Sequence, residues 1–346
     1  EELGQLLDHT GPVAASERNA ARIFSCDHLF FVTNGTSTSN KIVWHSTVAA
    51  GDIVLVDRNC HKSNLHAIMM TGAIPVFLMP TRNHYGIIGP IPKSEFSLDS
   101  IRAKIAANPF AREALAKNPN AKPRILTITQ STYDGILYNV EEIKGILDGE
   151  VDTLHFDEAW LPHASFHDFY GDFHAIGEGR PRCKESMIFS TQSTHKLLAG
   201  ISQASQILVQ DPENRQLDTM SFNEAYLMHT STSPQYAIIA SCDVAAAMME
   251  QPGGQALVEE SLVEALDFRR AMRKVDEEYG DDWWFRVWGP EALSDDGICD
   301  PIDWTLKPED SWHGFAGIED GFNMLDPIKG KSITRDEVFE KFGVYP

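Results

Sequence analysis

The sequence has no apolar stretch long enough to cross a membrane and no cysteine spacing typical of a disulfide framework. Its most apolar runs, such as residues 244–249 and 125–128, are far shorter than the roughly 18 residues of a membrane span. No basic-then-apolar signal segment opens the chain. The five cysteines are odd in number, lie far apart and include no CxxC pair, which favours reduced thiols over disulfides or a zinc site. These absences predict a cytoplasmic protein that does not enter a bilayer.

Basic residues are scarce relative to acidic ones. The chain has 29 Lys and Arg against 50 Asp and Glu, a formal net charge of −21. A field of that sign repels phosphate backbones and anionic membrane surfaces, so we expect neither nucleic acid nor a membrane as a partner. The 346 residues, 42% of them hydrophobic, are enough to bury a large core, and the ordinary charged content argues against disorder.

Short apolar runs follow one another between residues 28 and 210. The runs are residues 28–33, 52–57, 74–79, 124–129, 153–157, 187–190 and 205–210. They are continuous rather than alternating, as expected for strands buried on both faces, and the stretches between them can form helices. This pattern predicts an α/β fold of three layers, a mostly parallel sheet of about seven strands covered by helices.

The remaining segments predict surface and packing helices. Residues 95–120 predict a polar surface helix closed by an Asn-Pro-Asn turn, and residues 222–280 predict further helices. The apolar spacing along the last of these predicts a packing face. Its members are Leu257, Leu262, Leu266, Phe268, Met272 and Val275. Because the sequence after residue 280 is irregular and aromatic, we divide the chain into a large domain, 1–275, and an aromatic-rich segment, 276–346.

The segment STQSTHKLLAG at 190–200 is the strongest local signal for chemistry. Lys196 follows a predicted strand, at the edge where open α/β sheets bind ligands. A lysine in isolation is more often an exposed surface residue. Ser193, Thr194 and His195 beside it offer donors suited to an anion such as phosphate.

Three other strand ends carry polar groups. Asp157 closes a strand in HFDEAW, where it can pair with a ligand cation or cap a helix. Residues 32–41 run from a strand through a Gly, Thr and Ser turn into a helix, which exposes N–H groups to an anion but matches neither GxGxxG nor the Walker pattern. His61 can stack on a planar cofactor or cap a surface helix. A lysine, an acid, an anion cradle and a flat ring together fit pyridoxal phosphate.

Three histidines, His163, His167 and His174, raise the question of a metal site. Their spacings could align on a helix, but Pro162 and Gly171 interrupt one. We therefore predict a solvated loop and no metal ion here.

At these residues the sequence resembles the bacterial pyridoxal-phosphate-dependent Orn/Lys/Arg decarboxylases, members of the aspartate-aminotransferase-like superfamily. The similar motifs are TNGTSTSNK (33–41), VDRNCHKS (56–63), PTRNHYGIIGPI (80–91), STYDGILYN (131–139), HFDEAW (155–160), STHKLL (193–198), SQAS (202–205), FNEAYLMHTSTSP (222–234) and SWHGF (311–315). They span roughly residues 8–329 in the family's order. The Asp-Glu pair and residues 282–288 look most like the arginine-acting branch and a related lysine-acting branch.

The resemblance implies a role for nine residues. Lys196 would be the Schiff-base lysine, Asp157 the partner of the pyridine nitrogen, and His61 the ring stacked on the cofactor. The phosphate would lie among Thr36, Ser37, Ser193 and His195, with Trp160 near the ring oxygen and Thr232 reaching the phosphate of a neighbouring subunit. The implied assembly is a homodimer, with dimers stacking further in many members.

The implied reaction is decarboxylation of a basic amino acid, arginine or lysine and less so ornithine, to an amine and CO2 by Schiff-base exchange at Lys196. Aminotransferase or aldolase chemistry on the same scaffold is an alternative. Beyond residue 329 the family continues into a C-terminal domain that helps to form the substrate entrance, whereas this sequence reads GKSITRDEVFEKFGVYP and stops. We therefore expect a truncated C-terminal region, and a truncated, non-catalytic homologue is a further alternative.

Overall fold

Seven strands form one sheet in the computed structural model, which describes residues 3–334 of the chain. The strands of the described residues, in chain order, are β1 (His28–Val32), β2 (Ile53–Asp57), β3 (Ile74–Leu78), β4 (Ile125–Thr129), β5 (Ile136–Tyr138), β6 (Thr153–Asp157), β7 (Met187–Gln192), β8 (Ser205–Gln210), β9 (Phe285–Trp288), β10 (Asn323–Leu325) and β11 (Lys331–Thr334). Two smaller sheets contain the strands β5, β9, β10 and β11, and the other strands form the large sheet. The seven apolar runs of the sequence are the seven strands of this sheet. That prediction is confirmed, because an apolar run flanked by turn residues is what a strand covered on both faces requires.

Helices cover the sheet. They are α1 (Gly11–Ile23), α2 (Thr36–Thr47), α3 (Lys62–Thr71), α4 (Leu98–Ala107), α5 (Pro109–Lys117), α6 (Val140–Leu147), α7 (Thr194–Leu197), α8 (Thr219–His229), α9 (Tyr236–Met248) and α10 (Gly253–Tyr279). Ser97, Asn108, Asn139 and Asp218 accept hydrogen bonds from first-turn N–H groups of α4, α5, α6 and α8. Such side chains satisfy N–H groups that have no partner within the helix.

The sheet order is β1-β8-β7-β6-β4-β2-β3. Strand β8 is antiparallel to both neighbours, and the other neighbouring pairs are parallel. Every residue of β2, β6, β7 and β8 is buried. The mostly parallel three-layer α/β architecture is thus confirmed, and the carboxyl ends of β2, β4, β6 and β7 meet at one edge.

The segment 95–120 differs from its prediction as one surface helix. The segment 95–120 contains two helices rather than one, because Asn108 ends α4 and caps α5, which begins at Pro109. A proline cannot donate to a preceding turn, so it starts a helix more readily than it continues one.

The packing face predicted for α10 is partly wrong. Leu262 and Leu266 are fully buried, whereas Leu257 and Phe268 are 38% and 50% exposed. The buried face also includes Val258 and Arg269. A polar residue therefore occupies a core position that apolar spacing alone could not reveal.

The segment after α10 forms one small sheet of its own and shares a second one with the rest of the chain. Strand β11 pairs with β9, and β10 pairs with β5. The boundary between residues 275 and 276 falls within α10, and the division into 1–275 and 276–346 stays a prediction, with residues 335–346 outside the described part. Within residues 3–334, no helix combines the length and apolar character needed to cross a membrane.

Candidate active site

The carboxyl ends of the central strands open into a cavity of about 540 Å³. Strand pairing places Asp157 beside Thr129 on one side and Thr191 on the other. The cavity is lined by Gly35, Thr36, Ser37, Asn40, Asn59, Cys60, His61, Thr129, Ser131, Tyr133, Asp157, Ala159, Trp160, Ser193, His195, Lys196, Ser202 and Gln203. Eight of the nine residues singled out by the sequence are among them. The ninth, Thr232, lies on an exposed loop between α8 and α9 and does not line this cavity.

The start of α2 forms a hydroxyl-rich cradle. Gly35 precedes the helix with a φ of 72°, in the left-handed region that favours glycine. The Thr36 hydroxyl lies 2.6 Å from that of Ser193 and 3.0 Å from that of Ser205. First-turn N–H groups of a helix, flanked by hydroxyls, suit an anion such as phosphate.

His195 has one of its ring nitrogens already engaged. Its Nδ1 donates to the Ala204 carbonyl at 2.7 Å, and a carbonyl can only accept. The hydrogen of the neutral ring is therefore on Nδ1. His195 can donate from Nε2 to an anion only as the imidazolium.

Asp157 is 3% exposed and closes β6. Its Oδ2 accepts a hydrogen bond from Asn40 Nδ2 at 2.8 Å, and its Oδ1 accepts from the Ala159 N–H at 3.3 Å. Burial raises the pKa of this carboxyl above its ordinary value, and the hydrogen bond from Asn40 opposes that shift. Within residues 3–334 no cation forms a salt bridge with Asp157, which leaves a buried acid suited to a positively charged group on a ligand.

His61 caps α3 and also lines the cavity. Its Nδ1 lies 2.8 Å from the Ser63 hydroxyl and accepts from the Ser63 N–H at 3.2 Å. Partial burial lowers the pKa of His61, and the nearby Asp157 carboxylate opposes this shift. Both roles considered from the sequence, helix cap and ring facing a ligand, are therefore compatible in one residue.

Lys196 lies on the short helix α7 with its amino group against an indole. Its Nζ is 4.0 Å from the centroid of the Trp160 ring, and Lys329 Nζ is 4.4 Å from the same centroid. Burial lowers the pKa of Lys196, and burial lowers that of Lys329 to about 7. An amine whose pKa is lowered has a larger uncharged, nucleophilic fraction near neutral pH.

Asp57 is a second buried carboxyl at this edge of the sheet. It is 1% exposed, and its Oδ1 accepts from the Asn59 N–H at 2.7 Å, which shapes the turn leading to His61. Burial raises the pKa of Asp57 to about 6, and the negative charge of Asp157 adds to the rise.

Sequence reasoning missed several residues of the site. Asn40 and Ser63 lie within quoted motifs, at TSNK and HKSN, but nothing in a single sequence shows that their side chains meet Asp157 and His61. Lys329 ends the sequence LDPIK at 325–329, far from Trp160 along the chain. Tyr133 contacts the Trp160 ring edge-on, with centroids 5.9 Å apart.

The prediction of a solvated loop around the three histidines is wrong. His163 and His174 are 4% and 6% exposed. His163 Nε2 lies 2.9 Å from the Tyr170 hydroxyl, which donates to Asp326 at 3.0 Å. The segment is buried because its aromatic side chains, such as Phe169 and Tyr170, belong to the hydrophobic core and bring the neighbouring histidines inside with them. Among residues 3–334, no three or more His, Cys, Asp or Glu side chains are arranged to hold a metal ion.

Comparison with known proteins gives consistent matches over nearly the whole chain. The family model for the Orn/Lys/Arg decarboxylase major domain matches residues 1–345. Lysine decarboxylase LdcA of Pseudomonas aeruginosa is 56% identical over 329 residues, which are 95% of this chain and 43% of that protein. A lysine decarboxylase of Hafnia alvei is 47% identical over 334 residues, 96% of this chain and 42% of that protein.

A solved structure is also similar. That of lysine decarboxylase A from Pseudomonas aeruginosa matches with a TM-score of 0.88 and 55% identity, and the match covers 96% of this chain and 44% of that one. The chain therefore spans less than half the length of these relatives.

Proposed function

This chain belongs to the Orn/Lys/Arg decarboxylase family, and from that premise we propose that its cavity binds pyridoxal 5'-phosphate and decarboxylates a basic amino acid, with lysine as the first candidate. The observation that carries the proposal is the meeting of Lys196, Asp157 and the hydroxyl cradle of α2 around one cavity. Lysine comes first because the relatives compared above are named lysine decarboxylases. Arginine is the second candidate and ornithine the third.

The residues present fit the cofactor of this family. The buried Asp157 carboxyl forms no salt bridge within residues 3–334, as suits a protonated ring nitrogen. Thr36, Ser37 and Ser193 line the cavity near the start of α2, where a phosphate would find hydroxyl and N–H donors. Trp160 lines the same cavity and supplies a donor for a ring oxygen.

When bound, pyridoxal phosphate supplies an aldehyde for an amine and a ring that accepts the electron pair released on loss of CO2. Lys196 supplies the amine that holds the cofactor and that the substrate amine displaces. Asp157 keeps the proton on the ring nitrogen through a charge-assisted hydrogen bond. His61 offers a flat face, and cavity walls such as Trp160 limit the access of water.

The proposal includes a homodimer, with dimers able to associate further, and the cytoplasm as the compartment. Thr232 supports the dimer, because it is exposed on a loop outside the cavity and is free to reach a second copy. All five cysteines are free thiols, as is usual in a reducing compartment.

The test is product analysis with lysine, arginine and ornithine as separate substrates, with CO2 and keto acid both measured. We expect CO2 and a diamine from lysine at the highest kcat/KM, and a loss of more than about a hundredfold in Lys196→Ala. Lys184→Ala, which removes an exposed lysine, is the matched control and should leave the rate unchanged.

Three outcomes would contradict the proposal. A keto acid without CO2 would assign an aminotransferase, and cleavage of a carbon chain would assign an aldolase. Cofactor binding with no turnover of any substrate by the native polypeptide would assign a non-catalytic homologue.

The cofactor site has its own test. We expect the protein with bound cofactor to be yellow, and borohydride reduction should leave a covalent adduct on the peptide that contains Lys196. A stable adduct in the cavity of Lys196→Ala would remove Lys196 from this role.

A further inference from the structure

A continuous chain of hydrogen bonds joins Asp157 to His61 beneath the cavity. Asn40 lies at its centre and is 1% exposed. Asn40 Nδ2 is 2.8 Å from Asp157 Oδ2 and 2.9 Å from the Ser63 hydroxyl. The Thr191 hydroxyl is 2.7 Å from Asn40 Oδ1. Every polar atom of the Asn40 side chain therefore has a partner.

The chemistry of Asp157 fixes the direction of these bonds. In the proposed function, on which this inference rests, Asp157 is ionised, and an ionised carboxylate can only accept. The Asn40 group that faces Asp157 must therefore be its NH2. Its oxygen then faces Thr191, whose hydroxyl donates to it. The second hydrogen of the NH2 group goes to the Ser63 oxygen.

Ser63 passes this direction on to His61. Because its oxygen accepts from Asn40, its own hydrogen is available for His61 Nδ1, 2.8 Å away. The Ser63 backbone N–H also points to Nδ1, at 3.2 Å. Two donors aimed at one ring nitrogen require that nitrogen to carry no hydrogen. The hydrogen of the neutral ring must then be on Nε2, which no group in residues 3–334 engages.

We propose that Asn40 and Ser63 are positioning residues that hold His61 as a neutral ring with its hydrogen on Nε2, in a fixed hydrogen-bonded relation to Asp157. His61 then offers the cavity an N–H donor and a flat face rather than a general base. Through Nε2 it can donate a hydrogen bond to an oxygen of the substrate or cofactor, but it cannot accept a proton from either. Four groups facing His61 carry or can take up charge, namely Asp157, Lys196, Lys62 and His66.

The same argument runs from Thr191 in the other direction. Since Thr191 donates to Asn40, its oxygen must accept from His155 Nε2, 3.0 Å away. His155 Nδ1 then accepts from the Thr127 hydroxyl at 3.1 Å. His155 is fully buried, and burial lowers its pKa to about 3. It should therefore have the same tautomer as His61 across the range from pH 5 to 8, which makes it an internal reference.

The experiment is NMR of the 15N-histidine-labelled native protein from pH 5 to 8, with each ring assigned by substitution. At pH 7 we expect His61 to show a protonated Nε2 and a bare Nδ1. Ser63→Ala leaves only the longer backbone N–H bond to Nδ1, so it should admit a measurable fraction of the tautomer protonated at Nδ1 and raise the pKa of His61 by up to about one unit, because the neutral form loses one of its two donors. Ser63→Thr retains a hydroxyl and should restore the single tautomer.

The control is Ser46→Ala, which removes a hydroxyl from the far end of α2, where it donates to the Val43 carbonyl. It should leave the His61 signals unchanged. A hydrogen on His61 Nδ1 in the unaltered protein at pH 7, or an unchanged tautomer and pKa in Ser63→Ala, would overturn the inference.

The readout requires no substrate, so the two proposals can fail separately. Protein with the Nε2 hydrogen on His61 that releases no CO2 supports the inference and contradicts the proposed function. Protein that decarboxylates lysine while His61 carries its hydrogen on Nδ1 supports the proposed function and contradicts the inference.

Discussion

Burial pushes three titratable side chains of the cavity, Asp157, Lys196 and His61, toward their uncharged forms. It raises the pKa of Asp157 and lowers those of Lys196 and His61. A ligand that brings a positive ring nitrogen to Asp157 would reverse the shift at that residue, because an opposite charge favours the ionised carboxylate. The site is therefore electrostatically matched to a ligand that carries its own charges.

The proposed role of Asp157, holding a proton on the ring nitrogen of the cofactor, can be tested by replacing one carboxylate oxygen with an amide nitrogen. Asp157→Asn keeps an oxygen that can accept from Asn40 but loses the negative charge. We expect some cofactor to remain bound and kcat to fall by about one to two orders of magnitude, because a charge-assisted hydrogen bond is lost. Asp152→Asn, just before the start of the same strand, is the control. A kcat near that of the unaltered protein would exclude the proposed role of Asp157.

Lys329 gives a pH-dependent prediction. Its pKa is about 7 in the folded protein against an ordinary 10.5, so the unfolded chain takes up this proton first as the pH falls. The folded state therefore loses stability between pH 10.5 and 7, and Lys329→Met should remove that loss. We expect the variant to gain on the order of 1 kcal/mol over the unaltered protein at pH 7, after solvent screening, and little at pH 10.

Urea unfolding at the two pH values measures the effect. Lys331→Met is the matched control, since Lys331 forms an ion pair with Asp134 at 2.8 Å. A gain from Lys329→Met that is equal at both pH values would show that the amine is not destabilised by burial.

At the scale of elements, helix starts and strand ends place the chemistry. α2 presents its first turn to the cavity, β6 ends at Asp157, and the four-residue α7 turns Lys196 back toward both. α3 begins at His61. Because Asp157, Lys196 and His61 lie at or next to the ends of regular elements, the sheet and its helices rather than long loops set their relative positions.

The positive φ at the start of α2 predicts that residue 35 favours glycine, and a substitution of Gly35 tests this. Its φ is positive and no atom lies within 4 Å of the position that a Cβ would take, so Gly35→Ala costs only backbone energy, about 1 kcal/mol. Gly145→Ala is the matched control, because Gly145 is exposed within α6 and its Cβ would also meet nothing. We expect urea unfolding to show a loss for the first and a gain of up to about 1 kcal/mol for the second. The same sign for both would contradict the backbone argument.

At the scale of the whole molecule, we expect the charge of −21 to oppose association of copies at neutral pH. Like-charged copies repel at pH 7, where Asp and Glu, with ordinary pKa values of about 3.9 and 4.3, are ionised. Carboxylates crowded at an interface have raised pKa values and take up protons when copies associate. Association should therefore strengthen as the pH falls.

We expect dimers at pH 8 and larger assemblies with higher activity near pH 5 to 6. Sedimentation at fixed ionic strength across that range measures the assembly, and the decarboxylation rate is followed in parallel. An unchanged mass distribution combined with an alkaline activity optimum would contradict this prediction.

The sequence determined the sheet and the strand ends at which the cavity forms. All seven strands could be predicted because a strand covered on both faces must be a continuous apolar run, and that requirement is local. The same holds for Asp157, which ends such a run, and for Lys196, which lies a few residues after the end of β7. The motif resemblance added roles to these positions, and the family comparison supports the fold and the membership.

Only the tertiary structure decided which side chains meet. Asn40 and Asp157 are 117 positions apart. Lys329 Nζ lies over the distant Trp160 ring, in a segment whose Pro327 and Lys329 carbonyls accept hydrogen bonds from Arg269 at 3.2 and 3.1 Å. Which face of α10 is buried, and whether His163 is solvated, depends on the neighbours that folding supplies. Local sequence specifies the apolar runs, but hydrogen-bond partners and burial arise from contacts between distant segments, which no single segment encodes.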